Sequence, residues 1–403
     1  MNSGIITNID TAIDLGYYAK FIAGKTALVA QGGGQRSIFT SGVLDAFLLS
    51  NFDPFDEFFG TSAGALNLCA YLCRDKGLGR SFVLDLTTSP EFFNLFSYIR
   101  HRKNLGLEWA LEQIMAYPYK LDLDLGRQTL GDRQLFAAVT DSKDLQDHYF
   151  PLLGEDWYKV MIATCAIPRL YNDEILIDNG TYVDGGVSAA IPVQEAWRRQ
   201  ARSIVVIRTE PTFESNVDLP IQGQKKPILA KNNRASLEEL EWFRDSLNNV
   251  QGHWQQKVDQ WKTDWSSFFQ QQILSSKEQK RDRVHLDLLN GGRWLFGADD
   301  IYRLSHLIGD KFDSGLADML MVHYQTYSLT QDFLNSPPDD AFVVQIAPSQ
   351  PLKSSSLMSD KEDLLHDYQL GLEAGYRFVE TYTSTENARS SHMPQLASVA
   401  AEK

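Results

Sequence analysis

Residues 55–73 read FDEFFGTSAGALNLCAYLC. The order of residue types predicts a short β-strand, a sharp turn and an apolar helix. Within the turn, Gly60 and Gly64 flank Ser62 in the pattern GxSxG. Glycines leave room for a tight elbow, which lifts the serine hydroxyl above the sheet and points a helix N-terminus at it. Ser62 is therefore our candidate nucleophile, and the N–H of Ala63 is a candidate donor to an oxyanion.

A second glycine-rich stretch, VAQGGGQRSIFTSGVLDAF, begins upstream at Val29. A strand-like run enters three consecutive glycines and continues as a helix; the glycines are Gly32, Gly33 and Gly34. Bare N–H groups at a helix N-terminus, with Arg36 close by, form a receptor for a phosphate or an oxyanion. The dinucleotide fingerprint GxGxxG does not fit, because Ser37 stands where it needs glycine. A tight turn without any ligand would use the same glycines.

A third stretch, TCAIPRLYNDEILIDNGTYVDGGVSAAIPV, contains Asp184 followed by Gly185 and Gly186. An Asp-Gly pair after a β-like run is typical of a hairpin turn. The same carboxylate could instead accept a proton from a serine hydroxyl. Asp184 lies far from Ser62 in the sequence, so the fold would have to bring the two side chains together.

Composition and charge limit the class of protein. The chain has 38 Lys and Arg residues against 52 Asp and Glu, for a net charge of −14. This balance disfavours broad attraction to nucleic acid or to an anionic membrane. No segment approaches the roughly 18 uninterrupted apolar residues of a membrane span, and the N-terminus lacks a signal-peptide pattern. We therefore predict a cytoplasmic protein, and its three cysteines predict neither a disulfide framework nor a metal site.

The N-terminal half alternates β-rich and helical runs, which is typical of an α/β sheet with flanking helices. We predict strands at residues 25–31, 135–141, 182–186 and 203–209. After about residue 222 a polar linker leads into a long amphipathic helix around residues 254–265. A further strand is predicted at residues 341–347, and a helix that opens with a capping box between Ser359 and Glu362 follows it.

The glycine-rich loop, the GxSxG serine and the DGG aspartate stand in the chain order of the patatin-like phospholipase family. The sequence resembles that family over about residues 25–209, including TCAIP before the aspartate and an Ile-Pro pair after it. The resemblance implies an α/β fold, a three-layer sandwich around a central, mostly parallel sheet. The C-terminal region also resembles a bacterial branch of the family and predicts a mainly helical extension.

The resemblance further implies a Ser-Asp dyad without histidine. Ser62 would be the nucleophile and Asp184 the base, while the three loop glycines and Arg36 would form the oxyanion side. The expected activity is that of a lipid acyl hydrolase of phospholipase A or lysophospholipase type, without a cofactor or metal. Its substrate would be a phospholipid or another acyl-ester lipid, reached by transient, peripheral contact with a membrane surface, and nucleic acid is not expected as a partner.

Three alternatives stay open at this point. The glycine-rich loop could belong to a phosphate-binding module, or the chain could be an inactive regulatory or scaffold protein. A Ser-Asp-His triad is the third, because five histidines follow the aspartate: His253, His285, His306, His323 and His366. No motif marks any one of them.

The sequence divides into five segments. They are an N-terminal segment (1–24), the patatin-like catalytic domain (25–222), a helical insertion or lid (223–318), a C-terminal strand and helix region (319–383) and a disordered tail (384–403). An aromatic run followed by basic residues, at 92–103, fits either an interfacial patch or a packed core segment with a solvated helix end.

Overall fold

Eight strands form one mixed sheet in this computed structural model, which describes residues 24–94, 105–168, 170–171, 175–212 and 314–400. The strands are β1 (Lys25–Ala30), β2 (Glu57–Thr61), β3 (Gln134–Asp141), β4 (Asp147–Pro151), β5 (Ile175–Ile177), β6 (Gly180–Asp184), β7 (Ala201–Ile207) and β8 (Phe342–Ile346). Their order is β5-β6-β3-β2-β1-β7-β8, and β4 pairs with β3. The five strands from β3 to β8 in this order are parallel, whereas β4, β5 and β6 pair antiparallel.

Helices connect the strands and cover the sheet. They are α1 (Ile38–Leu49), α2 (Ala63–Leu72), α3 (Leu78–Ser81), α4 (Leu107–Met115), α5 (Leu123–Leu130), α6 (Trp157–Cys165), α7 (Val193–Arg198), α8 (Ser314–Asn335) and α9 (Lys361–Ala400). A 3-10 turn (Gly34–Ser37) precedes α1, and α3 continues as a π-helix (Phe82–Thr87).

The two faces of the sheet support separate hydrophobic cores. Leu28 of β1 points into one core, while Ala27 and Val29 point into the other. A strand buried on both faces is apolar along its whole length, as in parallel sheets that carry helices on each side. α1, α2, α6 and α9 pack on the first face, and α7 and α8 pack on the second. The predicted α/β three-layer sandwich is thereby confirmed.

The C-terminal region is built into this sandwich. β8 extends the parallel sheet beside β7, and α9 crosses α1 at close range. A Cβ atom on Gly42 of α1 would lie 2.3 Å from Tyr368 O, and one on Gly371 of α9 would lie 2.0 Å from Phe39 O. The two backbones can approach this closely because glycine stands at both positions.

All five strands that the sequence predicts by residue number are present, with bounds shifted by one or two residues. The run YVDGG, predicted as strand through residue 186, leaves the sheet at Asp184 because its carboxylate accepts the N–H of Gly186 and turns the chain into a 3-10 helix. The predicted capping box at Ser359 is wrong, since the N–H of Ser359 donates to Gln35 Oε1 at 2.8 Å and α9 begins at Lys361.

Other sequence predictions concern residues that lie partly or wholly outside the described ranges. Helix α9 is described as far as Ala400, over residues for which the sequence predicts a disordered tail, and that prediction stays open. The amphipathic helix around residues 254–265 and nearly all of the insertion at 223–318 lie outside the described residues. The same holds for residues 95–103 of the aromatic and basic run, although Phe92 at its start is buried in the first core.

Candidate active site

Ser62 stands between β2 and α2 in an uncommon backbone conformation. Its φ is 53° and its ψ is −128°, a region that a residue with a side chain occupies only when its surroundings hold it there. The N–H of Ser62 donates to Thr164 Oγ1 at 2.9 Å, and the Thr164 hydroxyl donates to Ala138 O at 2.6 Å. Thr164 therefore ties the elbow to the neighbouring strand β3.

The two elbow glycines are needed for space. A Cβ atom on Gly60 would lie 2.5 Å from Ala65 Cα, inside the first turn of α2. On Gly64 it would lie 2.6 Å from the carbonyl oxygens of Ala30 and Gln31. The start of α2 thus packs directly against the end of β1, from which the glycine-rich loop emerges, so the two motifs lie together.

Asp184 ends β6, opposite Val139 of β3, and is fully buried. Its Oδ1 accepts the N–H of Gly186 at 2.7 Å. Burial raises the pKa of this carboxyl to about 7, while the Gly186 hydrogen bond and the Ser62 side chain offset part of the increase. The carboxyl is thus close to Ser62, yet its Oδ2 accepts no hydrogen bond within the described part of the chain.

The chain must pass close to β3 after the aspartate. A Cβ atom on Gly185 would lie 2.1 Å from Ala138 O, the same carbonyl that holds Thr164. Only glycine fits there without displacing the strand. In the DGG motif, Gly185 therefore allows the chain to pass close to β3, and Gly186 donates a hydrogen bond to the Asp184 carboxylate.

In the glycine-rich loop, one backbone N–H group donates a hydrogen bond within the protein and two have no acceptor in the described ranges. The N–H of Gly32 donates to Ala190 O at 3.0 Å, so it is engaged. For Gly33 and Gly34 no acceptor of the N–H is found in the described ranges. Ala63, the first residue of α2, has no intrahelical acceptor for its own N–H.

Arg36 lies in the 3-10 turn that follows the loop and is buried. Its Nη1 donates to Glu210 Oε1 at 2.9 Å. Its Nε and Nη2 find no partner in the described structure, and both would lie 3.6 Å from a Cβ atom on Gly33. The guanidinium is thus placed beside the loop, but its charge is balanced by Glu210.

Two of the five histidines considered for a triad are described. His323 lies on α8, is buried, and contacts Gly186 O through Nδ1 at 2.7 Å. His366 pairs through Nδ1 with Asp367 Oδ1 at 3.0 Å. In the described residues no imidazole hydrogen-bonds to Ser62 or Asp184, and the remaining three candidates lie outside them.

Sequence reasoning missed Thr164 and Cys165, both in the TCAIP stretch. The thiol of Cys165 contacts Ser62, and its pKa is raised by burial and by the charge of Asp184. The resemblance included TCAIP but gave its residues no role. Glu210 was missed as well, because nothing in the sequence marks it as a partner of Arg36.

A possible metal-ligand group lies away from this site. Ligand atoms of Asp141, Asp144 and His148 are within 4.8 Å of one another near the β3–β4 turn. Both aspartates already accept turn N–H groups, from Lys143 and Gln146 respectively. We assign no metal there. Within the described ranges, no helix combines the length and apolar character required to cross a bilayer.

Comparisons with known proteins identify similarities to two domain families. Residues 28–197 match a family model described as Patatin-like phospholipase, and residues 313–386 match one described as Domain of unknown function (DUF6363). The curated protein YjjU of Escherichia coli (strain K12), described as uncharacterized, is 29% identical over 362 residues, which cover 90% of this chain and 79% of YjjU. The crystal structure of VipD from Legionella pneumophila is similar with 11% identity and a TM-score of 0.32, covering 89% of this chain and 67% of that chain.

Proposed function

The chain carries a patatin-like phospholipase domain at residues 28–197, with a C-terminal DUF6363 extension, and from this premise we propose that it is a lipid acyl hydrolase. It cleaves carboxylic ester bonds, as a phospholipase A or lysophospholipase does, through an acyl-enzyme on Ser62. The observation that carries the proposal is the Asp184 carboxyl, which is buried beside Ser62 and has one oxygen without a hydrogen bond.

In the first step, Ser62 Oγ attacks the ester carbonyl carbon while Asp184 Oδ2 accepts the hydroxyl proton. The electron pair of the carbonyl bond moves to its oxygen, and the oxyanion accepts hydrogen bonds from N–H groups of Gly33, Gly34 and Ala63. Each such donor contributes on the order of 3 kcal/mol to transition-state stabilisation in related sites. The bond to the leaving alcohol then breaks, and Asp184 returns its proton to the leaving oxygen.

In the second step, Asp184 accepts a proton from water, whose oxygen attacks the acyl carbon. Ser62 leaves with the returned proton, so one ester and one water give one acid and one alcohol. A base and acid of this kind works best when its pKa lies near the working pH. The pKa of about 7 that burial gives Asp184 supports both roles at neutral pH.

The engaged groups of the loop argue against a phosphate-binding module. Gly32 N–H donates to Ala190 O, and Arg36 is neutralised by Glu210. A receptor for a phosphate would keep that positive charge available. Because acyl-ester lipids reside in membranes or micelles, the proposal includes transient contact with a lipid surface.

A fluorophosphonate probe tests the proposal directly. We expect it to label the wild type and the control Ser50→Ala, which alters an exposed serine after α1, but not Ser62→Ala. Equal labelling of the wild type and Ser62→Ala would refute Ser62 as the nucleophile. A wild type that is neither labelled nor able to hydrolyse lysophospholipid in micelles would favour the inactive scaffold.

A further inference from the structure

Helix α8 presents three buried polar side chains to the edge of the candidate active site. His323, Tyr327 and Gln331 are four residues apart and therefore lie on one face of the helix. α8 lies outside the match to the patatin-like domain and inside the match to the DUF6363 domain. Its contacts with the catalytic loops thus join the two domains.

His323 is linked to the aspartate through Gly186. A carbonyl oxygen can only accept, so the contact of 2.7 Å between His323 Nδ1 and Gly186 O places the proton on Nδ1. The N–H of the same glycine donates to Asp184 Oδ1 at 2.7 Å. Gly186 is thus held on one side by α8 and on the other by the carboxylate, and its orientation determines where Oδ2 points.

Tyr327 is linked to the glycine-rich loop through two charged residues. Its hydroxyl donates to Glu210 Oε2, and Glu210 Oε1 accepts from Arg36 Nη1 at 2.9 Å. Burial favours the neutral acid at Glu210, but Arg36 and the Tyr327 hydroxyl hold its pKa below the usual range. The ion pair is therefore charged, and the Arg36 guanidinium is fixed beside Gly33.

The two links are physically joined on the helix. The rings of His323 and Tyr327 stack with centroids 5.7 Å apart at 28°. One turn further on, Gln331 Oε1 accepts from Arg208 Nη2 at 3.1 Å, which anchors α8 to the end of β7. A shift of α8 would therefore disturb both catalytic loops together.

We propose that α8 positions both halves of the active site: His323 orients Asp184 through Gly186, and Tyr327 orients the Gly33–Gly34 loop through Glu210 and Arg36. Neither side chain touches the substrate, so both are positioning residues. The inference rests on the proposed function, and it gives the C-terminal extension a part in the chemistry.

The first test compares two substitutions of His323. His323→Asn keeps an N–H donor near the position of Nδ1, whereas His323→Leu removes it. Misplaced catalytic groups cost roughly 10- to 100-fold in rate, so we expect His323→Leu to slow fluorophosphonate labelling and kcat by at least tenfold with little change in KM. His323→Asn should recover most of that loss.

The pH profile separates positioning from packing at His323. The Gly186 hydrogen bond lowers the pKa of Asp184, so loosening it should move the acid limb of the labelling rate to higher pH. The groups that face this carboxyl, the Ser62 hydroxyl and the Cys165 thiol on α6, are unchanged in the variant. A loss of packing alone would leave the limb where it is.

The second test uses Tyr327→Phe, which removes one hydroxyl and keeps the ring. We expect a kcat lowered about tenfold or more with an acid limb at the wild-type pH, since the link ends at the oxyanion loop. Thr330→Val is the matched control, because it also removes a buried hydroxyl from α8, but one that bonds only within the helix, to Thr326 O at 2.8 Å.

All rates are normalised to the folded fraction, measured by thermal unfolding of the full chain. Wild-type rates in both His323→Leu and Tyr327→Phe would overturn the inference, as would equal losses in Tyr327→Phe and Thr330→Val. Failure of the proposed function gives a different result, because the wild type itself would then remain unlabelled at Ser62.

Discussion

At the residue scale, burial makes the Asp184 carboxyl a stronger base than a free aspartate, as the proposed role of this residue requires. A free aspartate is a weak base at neutral pH, but removal from water raises the pKa of this carboxyl from 3.8 to about 7. The cost appears in stability. Because the folded protein holds the Asp184 proton more tightly than the unfolded chain, the free energy of unfolding falls as the pH rises from 3.8 to about 7, and the loss is complete above that range.

Asp184→Asn should therefore separate activity from stability. We expect kcat/KM to fall by several orders of magnitude, while the free energy of unfolding at pH 8 rises by up to about 4 kcal/mol, at about 1.4 kcal/mol per pKa unit. In the wild type, kcat/KM should decrease as the pH falls through about 7. Denaturant unfolding at pH 5 and pH 8 checks the sign, and a variant less stable than wild type at pH 8 would contradict it.

Thr164 is a second residue whose role depends on a single contact. Thr164→Val would leave the buried N–H of Ser62 without its acceptor, which costs about 1–3 kcal/mol, and would release the elbow from its strained φ. We expect slower fluorophosphonate labelling together with lower stability. Thr164→Ser keeps the hydroxyl and should label at nearly the wild-type rate. Equal rates in Thr164→Val and Thr164→Ser would show that this hydrogen bond does not hold the elbow.

Local motifs made the turns at Ser62 and Asp184 predictable, because the residues that shape each turn are neighbours in the sequence. Thr164, Glu210 and Tyr327 could not be found in this way. Their partners come from other parts of the chain, and a single threonine or glutamate carries no local pattern. The structure places the Ser62 side chain beside the Asp184 carboxyl, while the catalytic roles of both residues and the oxyanion role of the loop stay predictions.

At the element scale, the crossing of α1 and α9 depends on glycine. Gly371→Ala would normally favour a helix by about 1 kcal/mol. Here the added Cβ would lie 2.0 Å from Phe39 O, so we expect a net loss of about 1–3 kcal/mol from overpacking. Gly154→Ala is the control, because its Cβ would meet Pro151 O only at 3.5 Å. Thermal unfolding that ranks the two variants equally would argue against a tight crossing.

Strands were easier to predict than helix ends. The apolar runs of β1, β3, β7 and β8 are buried on both faces, so composition alone marks them. The start of α9 was misjudged because Gln35, a residue of the distant loop, takes the N–H of Ser359. A capping pattern in the sequence does not show that a distant residue, here Gln35, accepts the N–H of the predicted N-cap residue.

At the scale of the whole molecule, the C-terminal extension completes the sheet and both cores. β8 covers the edge of β7, and α9 supplies Leu364, Tyr368 and Phe378 to the first core. We expect a chain ending at residue 212 to show no cooperative thermal unfolding in circular dichroism, because an uncovered apolar edge and helix face remain. Co-expression with residues 314–403 should restore a cooperative transition. A cooperative transition in the truncated chain alone would contradict this expectation.

Helices α8 and α9 follow the loops around Ser62 and Asp184 in the sequence, so they are synthesised later. During synthesis the elbow, the glycine-rich loop and Asp184 leave the ribosome first, at about 5–20 residues per second. Helix α8, which carries His323 and Tyr327, follows roughly 7–28 seconds after Asp184 at that rate, and α9, which packs on α1, follows later still. Until they emerge, the nascent chain lacks the contacts of α8 and α9 with the loops around Ser62 and Asp184, so the proposed lipid hydrolysis would begin only after this extension has been made.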